Sequence, residues 1–190
     1  MTTLSGRALP LSVAALLVGL VLVGVVLVVD LAEAARSWPV PLLAPLDWTG
    51  HLATSALALL AGSRCGVAPR RADVLTVLVA SVALDVDHAP LYLGVPHVAG
   101  AGGRPLTHSL LTVAVLLAAA WLTTRRRLLL GVAAGVVLHL LRDVATGGGL
   151  PLLWPVDVAV RAPYLAYAAV LVGLALLAGV GSRAVRPRAV

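Results

Sequence analysis

The feature that most restricts this chain is a succession of long apolar runs built from Leu, Val and Ala. A helix crosses a bilayer core with about 20 consecutive apolar residues, and the first run, Leu9 to Val29 within 8–30, is long enough to do so. With 61% hydrophobic and 12% charged residues, the chain is far from the roughly 25% charged composition of soluble domains. Its many Gly and Ala residues let helices approach closely, as packing in lipid requires. The expected fold is an all-α, polytopic membrane helical bundle.

Gly, Pro and Arg punctuation predicts further helices over Asp47 to Gly62, Ala72 to Asp87, Thr107 to Thr124, Leu128 to Thr146 and Pro163 to Val180. That makes about six transmembrane helices in a single integral membrane domain, 1–190. Arg7 ahead of the first run and Ala32-Glu33-Ala34 behind it also fit a cleaved signal peptide. The run, however, exceeds the usual apolar region of about 7–15 residues. Trp38 to Pro45 is too proline-dense for a regular helix and reads as a connector outside the membrane core, with Trp at the interface. The single Cys65 cannot form an internal disulfide and reads as a packing residue.

Charge supplies an orientation, because short cytoplasmic loops are enriched in Arg and Lys. Alternating six spans from a cytoplasmic N-terminus leaves the C-terminus cytoplasmic too. Arg7, Arg64, Arg70, Arg71, Arg125, Arg126, Arg127, Arg183, Arg186 and Arg188 then lie inside, ten of the fourteen basic residues. The same threading sends Asp30, Glu33, Asp47, Asp85, Asp87, Asp143 and Asp157 to the outer side with all five histidines, leaving Asp73 inside. The net charge of +6 is spread over short clusters between apolar runs, with no basic soluble domain, so no nucleic-acid partner is expected.

Several of these outer residues are suited to metal chemistry. Asp85-Val86-Asp87-His88 ends the third predicted helix, where carboxylates oppose the negative end of the helix dipole and a cation would reverse that cost. His139 and Asp143, four apart, share a helix face and can hold one ion or act as ligand and orienting partner. His51 is near the outer start of helix two. Arg104 to Ser109 opens helix four, where Thr107 can cap the helix and Arg104 suits a phosphate. Arg142 points away from the His139–Asp143 face, and His97 reads as an ordinary loop residue. A polar cluster used only for helix packing or ion handling is the competing reading.

In order, His51, Asp85-Val86-Asp87-His88, Arg104 with Thr107-His108-Ser109, His139 with Asp143, Thr146-Gly147 to Pro151 and Trp154-Pro155 resemble the YdjM-like family. These are bacterial inner-membrane proteins described as LexA-binding and as metal-dependent hydrolases. The resemblance covers a core of about 47–157. It departs from the family pattern at Gly103-Arg104-Pro105, where His-Arg-Gly is common.

The resemblance implies a metal site and hydrolysis at the bacterial inner membrane. Together with the residues it predicts one or two divalent ions, Zn²⁺ first with Mn²⁺ or Mg²⁺ as alternatives. The expected ligands come from His51, Asp85, Asp87, His88, His108, His139 and Asp143, and the expected catalytic residues are Asp85, Arg104 and Ser109. The expected substrate is a membrane lipid or lipid-linked phosphoester, or a related ester, cleaved at the extracytoplasmic face. A non-enzymatic ion- or proton-handling protein is the alternative.

Overall fold

A computed structural model describes residues 12–35, 37–92, 100, 103–156 and 158–180. Arg7, Arg36, His97, Asp157 and the basic tail with Arg183, Arg186 and Arg188 lie outside the described residues. The described chain is all-helical: α1 (Val13–Ala35), α2 (Val40–Arg64), α3 (Arg71–Ala83), a 3₁₀ turn (Leu84–His88), α4 (Ala89–Tyr92), α5 (Leu110–Leu122), α6 (Arg126–Thr146) and α7 (Tyr164–Val180). The extended pairing described is one isolated bridge between Leu150 and Val160.

Three boundaries differ from expectation, each for a local reason. Trp38 to Pro45 is no loop, because Pro39 caps α2 and Pro41 stands in its first turn, where no N–H is needed. Only Pro45 falls inside the helix. Consequently His51 lies three turns into α2 rather than at its start. The third helix changes at Ala83 to the 3₁₀ turn that carries Asp85, Asp87 and His88. The helix expected from Thr107 begins at Leu110 with Ser109 at the N-cap, extended at φ −134° and ψ 160°.

Apolar residues cover the exterior as well as the core, and several charged residues are buried. Leu31, Trp121, Leu122 and Leu165 are more than 70% exposed, whereas His51, His139, Arg142 and Asp143 are fully buried. An apolar exterior with polar residues buried at one end suits a lipid solvent. α1 and α6 are long and apolar enough to cross a membrane by length and composition. Helices α1, α2 and α7 pack on one another around Val26, Leu57 and Leu171, and α6 packs against α3 and α5. Close side-chain packing holds such helices together, since lipid offers apolar groups no worse an environment.

The ends of α1, α3 and α6 meet the starts of α5 and α7 and the first half of α2 at one end of the bundle, as the ion pairs and hydrogen bonds of Asp30, Asp85, His108, Asp143, Tyr164 and His51 show. At the other end Arg64 donates to the Ala178 carbonyl, and Asp73 accepts from the Arg70 backbone.

Candidate metal centre

The 3.6-residue period places His139 above Asp143 on α6 and Asp47 beside His51 on α2, both at the polar end. The 3₁₀ turn brings Asp85, Asp87 and His88 against them, and the segment before α5 adds Arg104, Thr107 and His108. Thr107 does not cap α5: its hydroxyl donates to Asp87 Oδ2. Ser109 is buried at the helix start. Thus all seven residues expected as ligands converge, whereas the Ser109 hydroxyl has no hydrogen-bond partner among them.

Four donor atoms enclose one small space. His108 Nε2 is 3.0 Å from His139 Nε2, 3.6 Å from Asp143 Oδ2 and 3.8 Å from Asp85 Oδ1. His139 Nε2 is 3.3 Å from Asp143 Oδ2 and 3.5 Å from Asp85 Oδ1. Metal–ligand bonds of about 2.0–2.1 Å in a tetrahedron give ligand–ligand edges of about 3.3 Å. The separations run from 3.0 to 3.8 Å, around the length of such an edge; His108, His139 and Asp143 form one group that could hold an ion, and Asp85 joins His139 or His108 in neighbouring groups.

Protonation sharpens the fit. His139 Nδ1 lies 2.9 Å from the Ser81 carbonyl, which only accepts, so the ring donates there and a neutral imidazole turns a bare Nε2 inward. His108 Nδ1 faces Asp87 Oδ2 at 3.3 Å, a carboxylate behind a histidine that likewise turns Nε2 inward. Two bare lone pairs 3.0 Å apart need a proton or a cation between them. Both oxygens of Asp85 and both of Asp143 also have no hydrogen-bond partner. One proton cannot satisfy this set, but a metal ion can. The buried His/Asp groups therefore fit a metal ion.

Around this core the charges are arranged for an anion next to a cation. Arg104 NH1 is 3.2 Å from Asp143 Oδ2 and 3.3 Å from His88 Nε2. Gly147 admits it, because a Cβ there would lie 2.9 Å from Arg104 NH2. Asp85, His88 and Arg104 line a cavity of about 540 Å³ with Glu33, Asp47 and Trp48, and Ser109 is not among its lining residues. Burial pushes the Asp87 carboxyl up, yet the neighbouring His108 and His88 rings and the hydrogen bond from Thr107 outweigh it and hold the group well below the usual carboxylate range. Burial likewise lowers His108, and the Asp85 and Asp87 carboxylates reverse this and raise it.

Sequence reasoning missed the second layer. Arg142, expected to point away, is fully buried behind the cluster. It donates to Asp30 Oδ1 at 2.8 Å, to Glu33 Oε2 at 2.9 Å and to Asp47 Oδ1. Tyr164 donates to the other Asp30 oxygen at 2.9 Å. The signal was present as Asp30 and Glu33 three apart and Asp47 and His51 four apart, each pair on one helix face.

A family model described as "YdjM inner membrane protein" matches residues 46–189. The inner membrane proteins YdjM of Escherichia coli (strain K12) and of Shigella flexneri are each 36% identical to this chain over 94 residues, 43% of this chain and 48% of each relative. The match spans about half the length of these curated relatives. No solved structure matches the chain.

Proposed function

This chain belongs to the YdjM inner membrane protein family, and from that premise we propose that it is a multi-pass membrane hydrolase dependent on a divalent metal. Its substrate is a lipid-linked phosphoester or related ester at the extracytoplasmic face. The observation that carries the reading is the group of His108, His139 and Asp143, whose facing atoms lie 3.0–3.6 Å apart, with Asp85 Oδ1 3.5–3.8 Å from the two histidines. Two nitrogens with two carboxylates favour Zn²⁺ over Mg²⁺, which prefers octahedral oxygen. When bound, the ion supplies Lewis acidity and makes water a nucleophile near neutral pH.

The remaining steps belong to side chains. Arg104, at the cavity wall, binds the anionic part of the substrate and holds it beside this group. Asp85 lines the same cavity, and its Oδ2, which has no hydrogen-bond partner, accepts the proton released by the attacking water. Asp87 fixes the ring of His108, and the Ser81 carbonyl fixes that of His139. Ser109, buried at the N-cap of α5, makes no side-chain cap bond and does not line the cavity. Leu43, Ala44, Trp48 and Val86 give the cavity an apolar wall for the lipid portion.

Six spans with both termini cytoplasmic follow from the arginine pattern, and they turn the site outward. The alternative, an ion or proton pathway, meets a barrier: beyond the Thr54–Tyr167 hydrogen bond the helices close on Leu57, Val26 and Leu171. Metal analysis of the purified chain, followed by hydrolysis assays on phospholipids and polyprenyl phosphates, tests the proposal. Tightly bound metal lost in His139→Ala, with metal-dependent cleavage of one lipid class, is the expected result. Protein without metal, or metal-loaded protein that cleaves nothing and carries ions in proteoliposomes, would overturn it.

A further inference from the structure

Asp143 faces two ways. Its Oδ2 belongs to the group with His108 and His139, while its Oδ1 is 3.3 Å from His51 Nε2 on the opposite side. His51 Nε2 is in turn 3.6 Å from Asp47 Oδ1. His51 is fully buried, yet neither ring nitrogen has a hydrogen-bond partner. Its ring stacks on His139 with centroids 3.9 Å apart and planes within 6°. Charge on both stacked rings at once is unfavourable at that distance, and His51, Asp47 and Asp143 form a group of donors that could hold an ion.

Resting on the metal-site reading above, we propose that the centre is dinuclear. Asp143 bridges one divalent ion held with His108, His139 and Asp85 and a second held with His51 and Asp47. Carboxylate-rich two-metal sites hold their ions about 3.5–4 Å apart, a separation that one bridging carboxylate spans.

Charge points the same way. The contiguous network contains the six carboxylates of Asp30, Glu33, Asp47, Asp85, Asp87 and Asp143 and only the two guanidinium groups of Arg104 and Arg142. With the imidazoles neutral, as they must be to ligate a metal, the network carries an excess of four negative charges, which two divalent ions would neutralise. One ion leaves half the excess in place. Arg142 has a defined part in this arrangement: by pairing with Asp47 it fixes that carboxylate beside His51 without taking the place of an imidazole.

The full chain, stripped with a chelator in detergent and titrated with Zn²⁺ under equilibrium dialysis, is expected to bind two ions per chain. His51→Ala is expected to bind one and Asp143→Ala none. Loaded with Mn²⁺, the wild type should give the broadened paramagnetic resonance of a coupled pair, and His51→Ala the six-line signal of an isolated ion. His51→Gln, closer in volume, serves where the alanine variant aggregates, and wild-type stoichiometry stands without either variant. One ion in the wild type, unchanged by His51 substitution and with an uncoupled Mn²⁺ signal, overturns the second site and leaves the first. No bound ion overturns both.

Discussion

Two arginines near the same carboxylates have different work, and exposure separates them. The Arg104 side chain is 20% exposed at the cavity wall, while Arg142 is sealed among three carboxylates. On the hydrolase reading, Arg104→Ala should lower kcat by about 100-fold or more while metal content stays at the wild-type level, with Arg104→Lys intermediate; loss of metal in the alanine variant would assign Arg104 to the frame instead. The sequence made Arg104 legible because it precedes Thr107-His108-Ser109 at a helix start. Arg142 does point away from His139 and Asp143, but its partners Asp30, Glu33 and Asp47 were not legible, because a helical wheel says which way a side chain points and not which helix waits there. Gly50 tests how firmly Arg142 is held, since a Cβ would come within 2.5 Å of its Nε and the guanidinium has no room to retreat. Gly50→Ala is therefore expected to destabilise the protein by about 1–3 kcal/mol, measured by thermal unfolding in detergent. Gly24→Ala, where a Cβ meets nothing within 4 Å, should stay close to wild type.

At the scale of elements, α1 matters more than its sequence suggests. It lies outside the matched span 46–189, yet its last turns supply Asp30 and Glu33 to Arg142 on α6 and accept from Tyr164 on α7. Ala32-Glu33-Ala34, which resembled a cleavage site, sits within that helix. Removing the cation leaves three carboxylates facing one another, so Arg142→Met should cost about 3–5 kcal/mol. Asp30→Asn, which leaves Arg142 two carboxylate partners, should cost less. Unfolding midpoints of the two variants in the same detergent check the order, and equal losses would refute the clamp. Helix existence was legible wherever an apolar run was long, as in α1, α6 and α7. The ends were not: Pro39 and Pro41 start α2 instead of preventing it, and Thr107 exchanges a capping role for Asp87. In both cases the deciding contact comes from another segment, which local propensity does not contain.

For the whole molecule, the alternation of helices puts the histidines and the arginine-rich turns at opposite ends, and this makes the orientation testable with a residue the chain already has. Cys65 is exposed at the C-cap of α2, beside Arg64 and the Arg70–Arg71 turn. Val158, 53% exposed, lies next to the Leu150–Val160 bridge near the polar end. If the arginine end faces the cytoplasm, as the positive-inside reading proposes, a membrane-impermeant maleimide should leave Cys65 unmodified in intact spheroplasts and label it after permeabilisation. Val158→Cys, placed in a Cys65→Ser background, should label in intact spheroplasts. The reverse pattern would turn the metal centre toward the cytoplasm, and the substrate would then be sought among lipids of the inner leaflet, because the cavity beside Asp85, His88 and Arg104 moves with that end of the bundle.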